Sequence, residues 1–159
     1  IEVQDLRIEG GEEVADLVAR HATLAPVALG IAHVAPLLDE LPLLAVAAAN
    51  ADGETTFHLP ANLPLLTYAR VDAIAKALRA NGVSATASEE ALVVRGGPVR
   101  GGGRVHTDGD AVMGMAFLVL GMAAGDQVTI DDQTGIEGRF PGFVAAFEEI
   151  GAGFVHYSD

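Results

Sequence analysis

Two aspartates, Asp39 and Asp110, each stand just ahead of a long apolar run, in "DELPLLAVAAANADGETTFHL" and "DAVMGMAFLVLGMAAGDQVTIDD". A carboxylate at such a position can cap a helix N-terminus, where it meets unpaired N–H groups and the positive end of the helix dipole. It can also serve as a proton-transfer group if two helix starts converge on one cleft. Both readings stay open at this level, with Asp39 the candidate proton-transfer carboxylate. The glycine-rich "RGGPVRGGG" has the composition of a phosphate cradle. It lacks the Gly-Lys-Ser/Thr of a P-loop and no helix start follows it, so a flexible inter-strand loop is the expectation. His106, Asp108 and Asp110 could hold a divalent ion. The five histidines show no i,i+4 pairing and no metal-ligand spacing, so a solvated loop is expected there and no metal. Serines and threonines lack a His–acid constellation nearby, which leaves a nucleophilic triad unsupported.

These residues sit in a repeated frame. Each aspartate is followed by an apolar helix, a glycine-containing turn and a short strand with Thr and β-branched or aromatic residues. Then "ARVDAIAKALRANGVSATAS" and "FPGFVAAFEEIGAGFVHY" each read as helix, glycine stop, strand. The offset is 71 residues at the aspartates and 69 at Gly82 and Gly151. That period is too long for a solenoid and fits two copies of a β-α-β-α-β-β module, near 1–95 and 96–159, in a single domain. The first helices of the two copies are apolar all round and are expected to be buried on every side. The second helices are amphipathic: over 70–81, Ile74, Ala77 and Leu78 share a face that Asp72, Lys76 and Arg79 avoid. Gly82 and Gly151 stand where a helix end wants positive φ. A strand is expected over 92–95, and a hairpin about Gly10-Gly11. Buried helices with sheets outside them define an α/β fold with a helical centre.

Composition narrows the partners. The 159 residues carry 22 acids and nine bases, a net charge of −13, and Lys76 is the sole lysine. Such a surface repels phosphate backbones and anionic lipids, so neither nucleic acid nor membrane is an expected partner. The absence of cysteine excludes disulfides, thiolate catalysis and Cys-ligated zinc. The longest helix-like uncharged run, 111–125, falls short of the roughly 20 residues of a membrane span. With no signal peptide visible, the cytoplasm is the expected compartment. The first residue is Ile1, not Met, which suits a piece of something longer.

With these residues laid out, the chain resembles the EPSP synthase family, the 3-phosphoshikimate 1-carboxyvinyltransferases. "GGEEVADLVAR", "LLDELPLLAVAAANADGETTF", "VVRGGPVRG", "GDAVMGMAFLVLGMAAGDQVTIDD" and "FPGFVAAFEEIGA" follow that family's second half in order and spacing. The resemblance implies two domains of three β-α-β-α-β-β units each, of which this chain matches a little over two units. It also implies enolpyruvyl transfer from phosphoenolpyruvate to shikimate 3-phosphate, with no cofactor and with cationic side chains from both domains gripping the substrates. Asp39 in "LLDELP" takes the place of the family's acid–base aspartate, and Arg70 that of an arginine binding the phosphoenolpyruvate carboxylate.

The departures fall on that chemistry. The family pattern Leu-Arg-x-Lys-Glu-Ser/Thr-Asp-Arg aligns with "LPLLTYAR", so Leu66 replaces the lysine, Thr67 the glutamate and Ala69 the aspartate. Gly-Asp-His-Arg aligns with Gly109, Asp110, Ala111 and Val112, which keeps Asp110 and loses the histidine and arginine. Ahead of Phe140-Pro141, Arg139 is a shifted substitute for a lysine or polar group. The leading expectation is therefore a degenerate domain, non-catalytic by itself, that acts as a scaffold or binding module. The alternative is a divergent transferase half using Asp39, Arg70, Asp110 and Arg139, completed by a second domain or protein partner, with a small anionic substrate only if the site is still used. A third reading is an unrelated small-molecule binder with Thr67 and Tyr68 lining a less charged pocket.

Overall fold

The computed structural model describes residues 1–157. Strands β1 (Glu2–Glu9) and β2 (Glu12–Val18) form the expected antiparallel hairpin, turning on Gly10 and Gly11 at φ 62° and 90°. A four-stranded sheet follows, ordered β3 (Ala28–Leu29), β4 (Glu54–His58), β6 (Ala91–Arg95), β5 (Ser84–Ala87). β3 runs parallel to β4, while β6 is antiparallel to both β4 and β5. A second small sheet pairs β7 (Arg104–Val105) with β8 (Thr129–Ile130) in parallel. The helices are α1 (Ile31–Val34), extended by a 3-10 turn at Ala35–Leu37, then α2 (Leu41–Ala49), α3 (Leu65–Ala80), α4 (Ala111–Gly121), α5 (Ile136–Arg139) and α6 (Phe143–Glu149).

The apolar helices α2 and α4 pack on each other at the centre. Leu41, Ala45 and Ala49 of α2 and Met113, Phe117 and Leu120 of α4 are buried there. α3 turns Val71, Ile74 and Leu78 inward and covers β5 and β6, from which Ala85, Leu92 and Val94 are also buried. Each such large side chain removed from water contributes about 1.5–3 kcal/mol, which is why the helical centre holds the frame. No single helix among the described residues is long and apolar enough to cross a membrane.

Three expectations need correction. α2 is not buried on every side: Leu43 and Ala47, one turn apart, face outward, because this side of the helix has no covering layer. α3 begins at Leu65, five residues before Arg70, since Pro64 sets the extended residue from which the helix starts. No strand forms over 152–157, the described residues after Gly151. Its counterpart β5 exists by pairing with β6, and among the described residues nothing pairs with 153–157. The glycine stops themselves hold, with φ 83° at Gly82 and 101° at Gly151.

Candidate functional site

Three helix starts meet at one corner, joined by Arg70 in the second turn of α3. Its Nε donates to Asp110 Oδ2 at 2.5 Å. Its Nη1 donates to the Leu38 carbonyl at 2.9 Å, and its Nη2 to the Asp39 carbonyl at 3.0 Å. The other oxygen of Asp110 accepts from Val112 N at 3.0 Å and Met113 N at 3.1 Å, the arrangement of a helix N-cap. Asp110 therefore caps α4 with one oxygen and clamps Arg70 with the other. Partial burial alone would raise its pKa. The Arg70 hydrogen bond and charge, with the two N–H groups of α4, outweigh that and hold the carboxyl below its ordinary value.

Asp39 behaves differently from its counterpart. It lies in the turn before α2, whose cap position is Glu40, without a side-chain cap bond. Glu40 supplies only its carbonyl, to Leu43 N and Leu44 N, and Pro42 in the first turn has no N–H to satisfy. The Asp39 carboxylate is 91% exposed, 3.7 Å from Arg70 Nη1. Capping is thus correct for Asp110 and incorrect for Asp39, while the convergence of the two helix starts is real.

Arg139 closes α5, which packs against α4 through Gly135 and Ala111. Its side chain makes no hydrogen bond or ion pair with Asp39, Arg70 or Asp110 among the described residues. One turn before Arg70 on the same face of α3 stands Leu66, 85% exposed, beside Leu65 at 81%. Thr67 and Tyr68 are half-buried. The corner thus presents one arginine, two carboxylates and bare leucine surface.

The sequence missed a second polar cluster. Asp131, past the end of β8, accepts from Thr107 N and Thr107 Oγ1 at 2.9 Å and lies 3.2 Å from His106 Nδ1. Burial opposes ionisation of Asp131, but the Thr107 bonds and His106 more than compensate and lower its pKa. This cluster fastens the ends of β7 and β8 ahead of α4. His106 and Asp110 share no hydrogen-bond partner among the described residues. Thr107 follows buried Val105 at i+2, on the same side of an extended chain, and that spacing was the available signal.

"RGGPVRGGG" is a packed seam, not a flexible loop. A Cβ on Gly96 would lie 2.2 Å from Ala48 O, on Gly101 2.1 Å from Asp126 O, and on Gly103 2.4 Å from Ala80 O. Buried Asn81 donates to Ala77 O and accepts from Gly103 N, which stitches the seam to the end of α3. An open cavity of about 640 Å³ lies elsewhere, lined by His58, Asn62, Glu89 and Glu90 among others. With two carboxylates and no Lys or Arg in its wall, it does not suit an anion.

A helical centre flanked by sheets, with helix starts converging on a charged corner, is the α/β fold of the enolpyruvyl transferases. A solved structure of EPSP synthase from Acinetobacter baumannii superposes with a TM-score of 0.86 at 27% identity, over 95% of this chain and 36% of that one. The family model for EPSP synthase (3-phosphoshikimate 1-carboxyvinyltransferase) matches residues 4–147, and the chain belongs to that family. The 3-phosphoshikimate 1-carboxyvinyltransferase of Parvibaculum lavamentivorans is 44% identical over 98% of this chain. That of Phenylobacterium zucineum is 42% identical over 96%. The chain spans about 35% of the length of these relatives and corresponds to their C-terminal part.

Proposed function

We propose that this chain is a non-catalytic EPSP-synthase-type domain, a scaffold whose substrate corner has been closed by its own side chains. The observation that carries this reading is the engagement of all three Arg70 nitrogens by the chain itself. Its guanidinium is taken up by the Asp110 carboxylate and by two carbonyls, and no second Lys or Arg makes a polar contact at the corner among the described residues. An anion approaching the Nε side of the guanidinium would have to displace Asp110, which is itself fixed by the N-terminus of α4.

The missing charges set the scale. Each charge-assisted hydrogen bond is worth about 1.5–3 kcal/mol. Loss of the cations whose places Leu66 and Val112 occupy removes on the order of 3–6 kcal/mol on that basis, against about 8 kcal/mol for a micromolar complex. The net charge of −13 adds long-range repulsion of phosphate esters.

A second reading rests on a specific observation: the Asp39 carboxylate is exposed beside Arg70, and the guanidinium keeps N–H groups not used by the chain. On that reading a second domain supplies the missing cations, and the pair transfers the enolpyruvyl group. Titration calorimetry with phosphoenolpyruvate and shikimate 3-phosphate, on the chain alone and with a family N-terminal domain added, separates the two. The scaffold reading expects no heat at millimolar ligand in either case.

A further inference from the structure

Three dipeptides in the chain join an Asp or Asn to a glycine: Asp52-Gly53, Asn81-Gly82 and Asp108-Gly109. Such pairs share one reactivity. The backbone nitrogen that follows can attack the side-chain Cγ, and glycine leaves that nitrogen unshielded. The fold treats the three pairs differently. The Asn81 amide is buried, donating to Ala77 O and accepting from Gly103 N, and Gly82 N donates to Arg79 O at 3.0 Å. At Asp52-Gly53 the backbone is pinned on both sides. Asp52 N donates to Leu24 O, Gly53 N donates to Ala51 O, and Gly53 O accepts from Gly96 N at 2.8 Å. Pro26 also lies 2.9 Å from where a Cβ on Gly53 would stand.

Asp108-Gly109 is exposed and held by far less. The two residues are the centre of a β-turn with φ 50° and 79°, closed by Asp110 N donating to Thr107 O at 2.9 Å. Gly109 N donates to nothing among the described residues, and the space about Gly109 is open. The neighbours' bonds go elsewhere, Thr107 to Asp131 and Asp110 to α4 and Arg70, and the Asp108 carboxylate enters none of them. Asp108 also carries the left-handed backbone that an L side chain disfavours. Attack on Cγ needs the Asp108–Gly109 peptide to swing until its nitrogen faces that carbon. A single turn hydrogen bond opposes the swing, and release from positive φ assists it.

We propose that Asp108 is a site of spontaneous isoaspartate formation that loosens the Asp110 tie. Gly109 N forms a bond to Cγ of the protonated carboxyl. The carboxyl hydroxyl and the amide hydrogen leave as water, and a five-membered imide results. Water then adds at one of the two imide carbonyls. Cleavage of the bond from nitrogen to Cγ restores aspartate. Cleavage of the bond from nitrogen to the α-carbonyl leaves the chain running through Cβ and Cγ, with the α-carboxylate free. The water lost is regained, so mass and formal charge are unchanged. The main chain is one carbon longer just ahead of Asp110. The turn that places Asp110 loses its register, and with it the α4 cap and the bond to Arg70.

The test ages the folded 159-residue chain in mildly acidic buffer and follows isoaspartate in the tryptic peptides 21–70 and 105–139. Electron-transfer fragmentation places the isomer at a single residue. Isoaspartate is expected to accumulate at Asp108 at least tenfold faster than at Asp52, and the two rates to converge when the chain is aged in urea. Asp108→Glu, which would need a six-membered ring, is expected to remove the signal. The urea midpoint of the aged parent should fall in step with its isoaspartate fraction, while Asp108→Glu aged in parallel keeps its own. Equal rates at Asp108 and Asp52 in the folded chain, a difference that persists in urea, or a midpoint that does not follow the isoaspartate fraction would each overturn the proposal.

Discussion

Arg70 and Asp110 form a salt bridge of 2.5 Å that fastens the second turn of α3 to the N-cap of α4, while the same guanidinium holds the two carbonyls before α2. One arginine thereby ties together the starts of the three helices that converge at the corner. It is expected to act as a structural tie. Asp110→Ala removes a cap worth about 1 kcal/mol and leaves a half-buried guanidinium short of its partner, a further 1–3 kcal/mol or so. A loss of about 2–4 kcal/mol in urea unfolding is the expected total. A double-mutant cycle with Arg70→Ala should return a coupling of about 0.5–3 kcal/mol.

Acid should weaken the fold through the same residue. Asp110 and Asp131 both have folded-state pKa values below the ordinary aspartate value. Their stabilisation is complete above the unfolded value, near 3.9, and is lost as pH falls through the lower folded values. The urea midpoint should therefore hold from neutral pH down to about 5 and decline below about 4. Asp131→Asn should flatten that decline, because Thr107 and His106 would no longer hold an ionised group.

The glycine seam makes a packing prediction. Gly103→Ala would place a methyl 2.4 Å from the Ala80 carbonyl and 2.9 Å from the Asn81 side chain, contacts that real Cβ atoms do not make. Asn81→Ala would strand Gly103 N, a buried donor, at a cost of about 1–3 kcal/mol. Differential scanning calorimetry should show both variants melting several degrees below the parent, Gly103→Ala the more so.

The frame was legible in the sequence because it depends on period and punctuation. The two Asp-led apolar runs marked the central helices, the amphipathic pattern marked α3, and Gly82 and Gly151 marked helix ends. What escaped was set by tertiary contact. Asp39 and Asp110 look equivalent as letters, but Pro42 and the Glu40 carbonyl settle the start of α2 without Asp39, whereas α4 takes Asp110 as its cap. The inward turn of Arg70 toward that cap brings together residues 40 apart in the chain. The glycines of "RGGPVRGGG" read as freedom, but their small size serves close approach to carbonyls. A strand over 153–157 had the right residues and, among the described residues, no ladder to join.

Restoring charge should restore attraction. In the variant Leu66→Lys, Val112→Arg, two cations return to the exposed first turn of α3 and the half-buried first turn of α4. At about 1.5–3 kcal/mol for each charge-assisted contact, phosphoenolpyruvate affinity should rise at least tenfold over the parent. Competition by salt in the same titration checks that the gain is electrostatic.

The most direct test of the closed corner is calorimetric titration of phosphoenolpyruvate into the unmodified chain with shikimate 3-phosphate and a family N-terminal domain present. The account expects no saturable heat up to millimolar ligand and no phosphate release. Micromolar binding, or turnover that Asp39→Ala abolishes, would contradict it.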